Sequence, residues 1–264
     1  MSAHPAVLGD DPPVPGPLPG TVETWLVRVA ESAGAAVANA GVLDEDESRR
    51  VAATKHEAGR RRYLTAHVGL RVLLGGRLDV PPERIRFHRE ACPMCGGPHG
   101  RPAVEGRPDV HFSMSHSGDT VLYALAPTAV GADIESPSAR HERFDLAAYL
   151  HPGERAAIAR QPPEHRAAAV LSCWVRKEAY LKGTGAGIAA GVAGVHVGLA
   201  AAFAGNGPQG APPTPDGWVF RDVDAPEGYA AAVAVAIGAG DPAWGTGPLT
   251  PRPLRLQGPS SSRG

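Results

Sequence analysis

Lysine is almost missing from this chain. Only Lys55, Lys177 and Lys182 are lysine among 26 basic residues, and the other 23 are arginine. With 33 Gly and 27 Pro, this looks like GC-rich coding pressure, under which a retained lysine marks a place where guanidinium cannot do the task of a compact ammonium. Excess charge of either sign is also missing. A formal net charge of −1 argues against a general nucleic-acid binder held by bulk electrostatics. No apolar run approaches the ~20 residues that span a bilayer. Three cysteines, an odd and small number, do not build a disulfide framework. No Lys or Arg precedes Arg28, so there is no n-region of a signal peptide. We therefore expect a cytoplasmic protein that binds neither membrane nor nucleic acid.

The chain has 264 residues, 43% hydrophobic and 20% charged, which excludes global disorder and gives one large domain or two small ones. Pro-rich residues 1–20 predict a disordered leader, and 239–264 a disordered tail. Between them the pattern predicts two lobes, 21–127 and 128–238. A strand or short helix is expected over 22–30, and a helix over 45–74 that Asp44 caps and Gly75-Gly76 stops. A loop over 81–101 and strands at 111–114 and 121–125, joined by a Ser117-Gly118-Asp119 turn, complete the first lobe. The second has a strand at 130–135, helices at 142–149, 152–160 and 165–181, and strands at 192–199, 218–223 and 228–237. The helix over 45–74 is strongly basic, with Arg49, Arg50, Lys55, Arg60, Arg61, Arg62 and Arg71.

Three segments carry chemistry. In Gly131-Ala-Asp-Ile-Glu135, strand alternation puts Asp133 and Glu135 on one face and Ile134 on the other. Two like charges side by side repel unless something positive sits between them, and a hard divalent cation bound together with phosphates would serve. An exposed edge strand with two solvated acids is the simpler alternative. In Trp174-Val-Arg-Lys-Glu-Ala-Tyr-Leu-Lys182, Glu178 and Lys182 are i,i+4 neighbours on a helix. The alternative there is a surface pair, but this one uses one of three lysines and precedes a Gly-rich stretch, 183–187, where backbone can approach a ligand. In Phe112-Ser-Met-Ser-His-Ser117, hydroxyls, an imidazole and amides at a strand end can cradle an anion, or form an ordinary hairpin turn.

In this order and spacing the three segments resemble the Sfp-type 4′-phosphopantetheinyl transferases, whose patterns are a Ser-His-Ser turn, Gly-x-Asp-x-Glu and Trp-x-x-Lys-Glu-Ala/Ser-x-x-Lys. The resemblance covers about residues 45–238. It implies an α+β fold of two similar lobes related by a pseudo-twofold axis, each a small antiparallel sheet packed with helices. It also implies an enzyme that moves the phosphopantetheine arm of coenzyme A to a serine of an apo acyl or peptidyl carrier protein, releasing adenosine 3′,5′-bisphosphate. Asp133, Glu135 and Glu178 would hold Mg²⁺, with Mn²⁺ as a substitute. Glu178 would help deprotonate the serine, and His116 and Lys182 would meet coenzyme A phosphates, with Lys182 also acting on the leaving group. Arg50, Arg62, Arg101, Pro102 and Ser115 complete the expected coenzyme A contacts. Arg101 stands in Gly100-Arg-Pro102 where many members have Gly-Lys-Pro. We expect a monomer.

Two rival functions use the same residues differently. Carboxylate-metal clusters also serve phosphohydrolases and nucleases. A zinc or protein-binding module could centre on His88-x3-Cys92-Pro-Met-Cys95-x3-His99. The compact spacing and the lack of a second Cys-x-x-Cys argue against structural zinc, so the expectation there is a loop with two reduced cysteines. Cys173, beside Trp174, is expected inside a helix packing face.

Overall fold

The computed structural model describes residues 15–16, 21–136, 146–187, 191–204, 214–238 and 248–257. Strand β1 (Glu23–Arg28) leads directly into α1 (Val29–Ala38), so the segment 22–30 is both strand and helix start. Helix α2 (Glu45–Ala53) opens with a capping box in which Asp44 accepts from the Glu47 amide and Glu47 accepts from the Asp44 amide, two orphan donors satisfied reciprocally. The continuous helix expected over 45–74 is broken here. Thr54 and His56 take extended backbone angles, the Thr54 hydroxyl closes α2 on the Arg50 carbonyl at 2.8 Å, and α3 (Glu57–Leu78) begins afresh. Gly75-Gly76 does not stop α3. A Cβ at Gly75 would lie 2.9 Å from the Val80 carbonyl oxygen, so that glycine admits the returning chain, and the helix ends at Asp79 in the left-handed region (φ 54°).

Strands β2 (Phe87–Arg89) and β3 (Pro102–Val104) pair antiparallel inside and beside the segment expected to be loop. The hairpin of β4 (His111–Ser117) and β5 (Thr120–Ala126) turns at Gly118 (φ 54°), a conformation glycine adopts without cost. With β1 it makes a sheet of order β4-β5-β1-β9. Strand β9 is Arg252–Pro253, running parallel to β1. Residues 248–257, within the tail expected to be disordered, are thus ordered. Leu249 bridges Val223 of the second lobe, and residues 252–256 return to the first lobe, where Leu254 and Leu256 are buried, because two apolar side chains in a polar tail still gain by leaving water.

The second sheet has order β6-β8-β7, all antiparallel, from β6 (Val130–Glu135), β7 (Trp218–Asp222) and β8 (Ala230–Ala236). Helix α4 (Pro152–Ala159) precedes α5 (Pro163–Thr184), and α6 (Ala201–Ala204) is a single turn. Helices α3 and α5 are 22 residues each, one packed on each sheet, which gives the α+β arrangement of two small antiparallel sheets with helices. The expected helix over 142–149 is a short turn at Leu146–Tyr149, and its first four residues lie outside the described ones. The expected strand over 192–199 is a turn followed by extended chain without ladder partners.

Strand β5 is buried on both sides, and the two faces belong to different cores. Val121, Tyr123 and Leu125 pack under α3 with Trp25, Leu70 and Leu73. Leu122, Ala124 and Ala126 pack with Val130, Ala132, Ile134 and Val233 of the second sheet. This seam explains why β5 is an uninterrupted apolar run.

Candidate active site

Strands β4 and β6 meet through side chains. The three alternate serines of β4 all face β6, as the period of two requires. The Ser113 hydroxyl accepts from the Ala132 amide (2.9 Å), Ser115 donates to Asp133 Oδ1 (2.7 Å), and Ser117 donates to Glu135 Oε2 (2.6 Å) while accepting from the Ser136 amide. The Ser-x-Ser-x-Ser spacing therefore aims the two carboxylates of β6. Ser115, expected on coenzyme A, is turned toward Asp133, and the hydroxyls of this turn orient anions of the protein itself. Ile134 points the other way into the core, as alternation predicts.

Helix α5 reaches this face by close backbone packing. A Cβ on Gly131 would lie 1.8 Å from the Ala179 carbonyl oxygen and 2.4 Å from the Gly183 amide nitrogen. A Cβ on Gly183 would lie 2.7 Å from the Trp218 ring and 3.0 Å from the Gly131 nitrogen. Two glycines, one per element, thus let α5 lie on β6 and bring Glu178 and Lys182 to Asp133. Lys182 Nζ donates to Asp133 Oδ1 (2.6 Å) and the Ala132 carbonyl (3.2 Å). Asp133 is buried, and its Oδ2 has no hydrogen-bond partner among the described residues. Burial, then the Asp133 charge, push the Glu178 carboxyl up to about 7, with Glu135 adding to the rise and Lys182 opposing it. Three carboxylates thus crowd around one ammonium. An orphaned buried oxygen and a carboxylate held near neutrality by its neighbours are the marks of a place that would accept a hard divalent cation. Their ligand atoms are nonetheless not gathered within 4.8 Å of one another.

His116 sits on the opposite side of β4. Burial lowers its pKa, and the charges of Arg62 and Lys182 lower it further. Its Nδ1 and the Arg62 Nε are both buried without a partner among the described residues, although Arg62 Nη1 reaches the Gly118 carbonyl at 3.3 Å. The Arg62 guanidinium and the His116 imidazole, the latter favoured in its neutral form, close one flank of the site.

A cleft of about 710 Å³ opens from Glu178 and Lys182 toward β2, β3 and α2. Arg50, Arg101 and Pro102 line it, as do Tyr63 and His67. Arg62, His116, Ser115, Asp133 and Glu135 are not among its lining residues. Arg101 crosses the seam between the lobes: it grips Glu90 through Nε (2.6 Å) and Nη2 (3.3 Å) and donates from Nη1 to the Gly183 carbonyl (3.1 Å). Glu90 and the two packing glycines are positioning residues that the sequence does not reveal as such. For Gly131 and Gly183 the available signal was their place inside or beside the charged motifs.

The sequence pattern of the 4′-phosphopantetheinyl transferase superfamily matches residues 129–234, which hold Asp133, Glu135, Glu178 and Lys182. The chain is 34% identical over 135 residues to the 4′-phosphopantetheinyl transferase psf-1 of Bacillus pumilus, covering 50% of this chain and 53% of that one. It is 30% identical over 173 residues to HetI of Nostoc, covering 64% and 70%. It is 37% identical over 117 residues to AcpT of Salmonella typhi, covering 44% and 56%. The matched stretch thus spans about half of two of these relatives and 70% of the third. On this similarity and the geometry above, the chain belongs to the 4′-phosphopantetheinyl transferase superfamily.

Proposed function

We propose that the protein transfers the 4′-phosphopantetheine arm of coenzyme A to a serine hydroxyl of an apo acyl or peptidyl carrier protein. The serine oxygen forms a bond to the phosphorus that bears the pantetheine. The bond from that phosphorus to the bridging oxygen breaks, and adenosine 3′,5′-bisphosphate leaves with the electron pair. The observation that carries this reading is that Glu178 and Lys182 line a cleft together with Arg50, Arg89 and Arg101, with the buried Asp133 held 2.6 Å from Lys182 behind its wall.

The residues divide the task as follows. Arg50 and Arg101 stand in the cleft where the 3′-phosphate and adenosine would lie, with Pro102 beside Arg101. Arg62 and His116 lie outside the cleft lining and would meet the diphosphate only from its flank. Glu178, held up to about 7, is poised near the working pH to take the serine proton, directly or through water. Lys182 places a compact charge where the leaving oxygen develops negative charge, the type of contribution that dominates phosphoryl-type transfer. Asp133, Glu135 and Glu178 would hold Mg²⁺, or Mn²⁺ in its place, and Ser115 and Ser117 aim the first two. When bound, the ion would supply neutralisation of the diphosphate charge.

Mass spectrometry of several apo carrier proteins incubated with coenzyme A and Mg²⁺ tests the proposal. The expected result is a gain of one phosphopantetheine on the carrier serine, abolished by EDTA and restored by Mg²⁺ or Mn²⁺. Release of adenosine bisphosphate without an apo carrier would instead identify a phosphohydrolase, and full activity in EDTA would overturn the metal assignment.

A further inference from the structure

The loop between β2 and β3 has a construction that the transfer reaction does not use. The ladder continues past both strand ends, with the Glu90 amide donating to the Arg101 carbonyl (3.1 Å) and the Gly100 amide to the Glu90 carbonyl (2.9 Å). Between them, residues 91–99 make an excursion in which only Cys92 is buried. Such a segment has almost no apolar core of its own, and an exposed loop of that kind ordinarily opens at little cost.

Its backbone is nevertheless closed on itself. The Cys92 amide donates to the Gly97 carbonyl (2.7 Å), the Gly96 amide to the Cys92 carbonyl (2.8 Å), and the His99 amide to the Gly97 carbonyl (2.9 Å). Gly96 has φ 72°, which any other residue would adopt only with strain. The backbone amides of Met94 and Cys95 face Cys92 Sγ, the kind of support that thiolate ligands receive from surrounding hydrogen bonds. Cys95 Sγ and His99 Nε2 lie 3.0 Å apart, and the ligand atoms of Cys92, Cys95 and His99 are all within 4.8 Å of one another. Tetrahedral zinc with its usual bond lengths separates such ligands by about 3.5–3.8 Å. Gly97 keeps this space open, since a Cβ there would lie 3.0 Å from the His99 ring and 3.4 Å from Cys95 Sγ. Among the described residues these three make the one group of three or more His, Cys, Asp or Glu side chains with ligand atoms so close together.

We propose that Cys92, Cys95 and His99 bind a structural zinc ion, with water completing the tetrahedron, and that this ion holds the β2–β3 loop in the shape that presents Arg101 to Gly183. Soft thiolates with one imidazole select zinc over the oxygen-seeking Mg²⁺ of the other centre. His88, the fourth ligand suggested by the spacing, does not join the group at this separation and is assigned no role. This proposal departs from the expectation of a plain loop with two reduced cysteines. The sequence spacing gave too little weight to the two glycines, which fold the knuckle tightly enough for four residues between Cys92 and Gly97 to close it.

The test is metal content, which is independent of whether the transfer reaction is correctly assigned. The full chain, purified without chelator from zinc-supplemented cells, should carry one zinc per chain by elemental mass spectrometry. After equilibration with a competing chelator, Cys95→Ser and His99→Ala should each retain less than about a tenth of the wild-type zinc, in keeping with loss of one of three ligands, while His88→Ala retains it. Cobalt reconstitution should give a thiolate charge-transfer band and tetrahedral ligand-field bands that both variants lose. Zinc removal should speed amide exchange across residues 91–101 and leave α5 unchanged. Wild-type protein that takes up no stoichiometric zinc, or that carries a Cys92–Cys95 disulfide and ignores added zinc, overturns the proposal. So does retention of zinc by the Cys95→Ser/His99→Ala double variant.

Discussion

Two lysine-carboxylate pairs stand five residues apart on α5, and they have opposite characters. Lys177 is buried against the equally buried Glu154, 2.9 Å away. It also donates to the carbonyls of Val192 and Val195, and Glu154 accepts from the amides of Val197 and His151. Every oxygen and proton of that pair has a partner, and the pair holds 192–197 on the helix without a sheet. Lys182 is a third exposed, and its partner Asp133 keeps one oxygen orphaned with two more carboxylates nearby. A satisfied pair is architecture, whereas an unsatisfied one is a place where a ligand can lower the energy. The coding bias that makes lysine rare marks both positions, and only the surroundings distinguish them.

The largest expected effect comes from breaking the satisfied pair. Lys177→Met leaves the Glu154 charge buried and alone, and should cost about 3–5 kcal/mol of stability. Lys182→Met should cost less, about 1–3 kcal/mol, because Asp133 is buried but Lys182 itself is a third exposed and water can take its place. Urea unfolding of the two variants decides the matter. Equal losses would erase the distinction, and a Lys177→Met/Glu154→Leu variant should recover part of the first loss.

On the other side, Asp133→Asn keeps the shape and removes the charge. The transfer rate should fall roughly 10²–10³-fold, the scale seen when one preorganised electrostatic group is lost. The unfolding midpoint should stay within the error of wild type. A near-normal rate would detach Asp133 from the chemistry.

Glu178 gives the contrast a pH signature. Its folded pKa of about 7 lies above the ordinary value of 4.5, so the folded state binds this proton more tightly than the unfolded state. Stability from this group is full below 4.5, falls as pH rises from 4.5 toward 7, and stays lost above it. Glu178→Gln removes that loss. In EDTA it should match wild type near pH 4.5 and exceed it at pH 8 by up to about 2 kcal/mol, less than the full shift because the group is partly solvated. A variant less stable than wild type at pH 8 contradicts the environment described for Glu178.

Much of the site was legible because its chemistry sits in short, regular elements. Alternation placed Asp133 and Glu135 on one face of β6, and i,i+4 spacing placed Glu178 beside Lys182 on α5. What the sequence hid were contacts between distant segments. Helix α5 lies on β6 because neither Gly131 nor Gly183 has a side chain, and Glu90 meets Arg101 across the β2–β3 ladder. The return of residues 252–256 rests on Leu254 and Leu256, too few apolar positions to signal order within a Pro/Gly-rich tail. The apparent strand at 192–199 has a strand's apolar pattern, but its hydrogen-bond partners are Lys177 and Glu154, side chains that no local pattern can supply. Lys177 is hidden in the same way: its side chain enters a buried site of its own against Glu154.

The finest comparison is arginine in place of each lysine, which keeps the charge and changes only its shape. At 182 the ammonium fits between the Ala132 carbonyl and Asp133 Oδ1. A planar guanidinium is wider and prefers to pair a carboxylate through two parallel donors. In Lys182→Arg it would take both oxygens of Asp133, including the Oδ2 now without a partner, and compete for the atom offered to a cation. We expect kcat to fall about tenfold, worth ~1.4 kcal/mol in the barrier, with an unchanged unfolding midpoint and a higher Mg²⁺ requirement. At 177 there is no vacant oxygen to capture and no solvent to expand into. Lys177→Arg should overpack the site and cost about 1–3 kcal/mol of stability, with normal kcat for the fraction that remains folded. Steady-state kinetics and thermal unfolding of the two variants give four numbers. If the kinetic loss follows 177 or the stability loss follows 182, the division between an architectural and a chemical lysine on this helix is wrong.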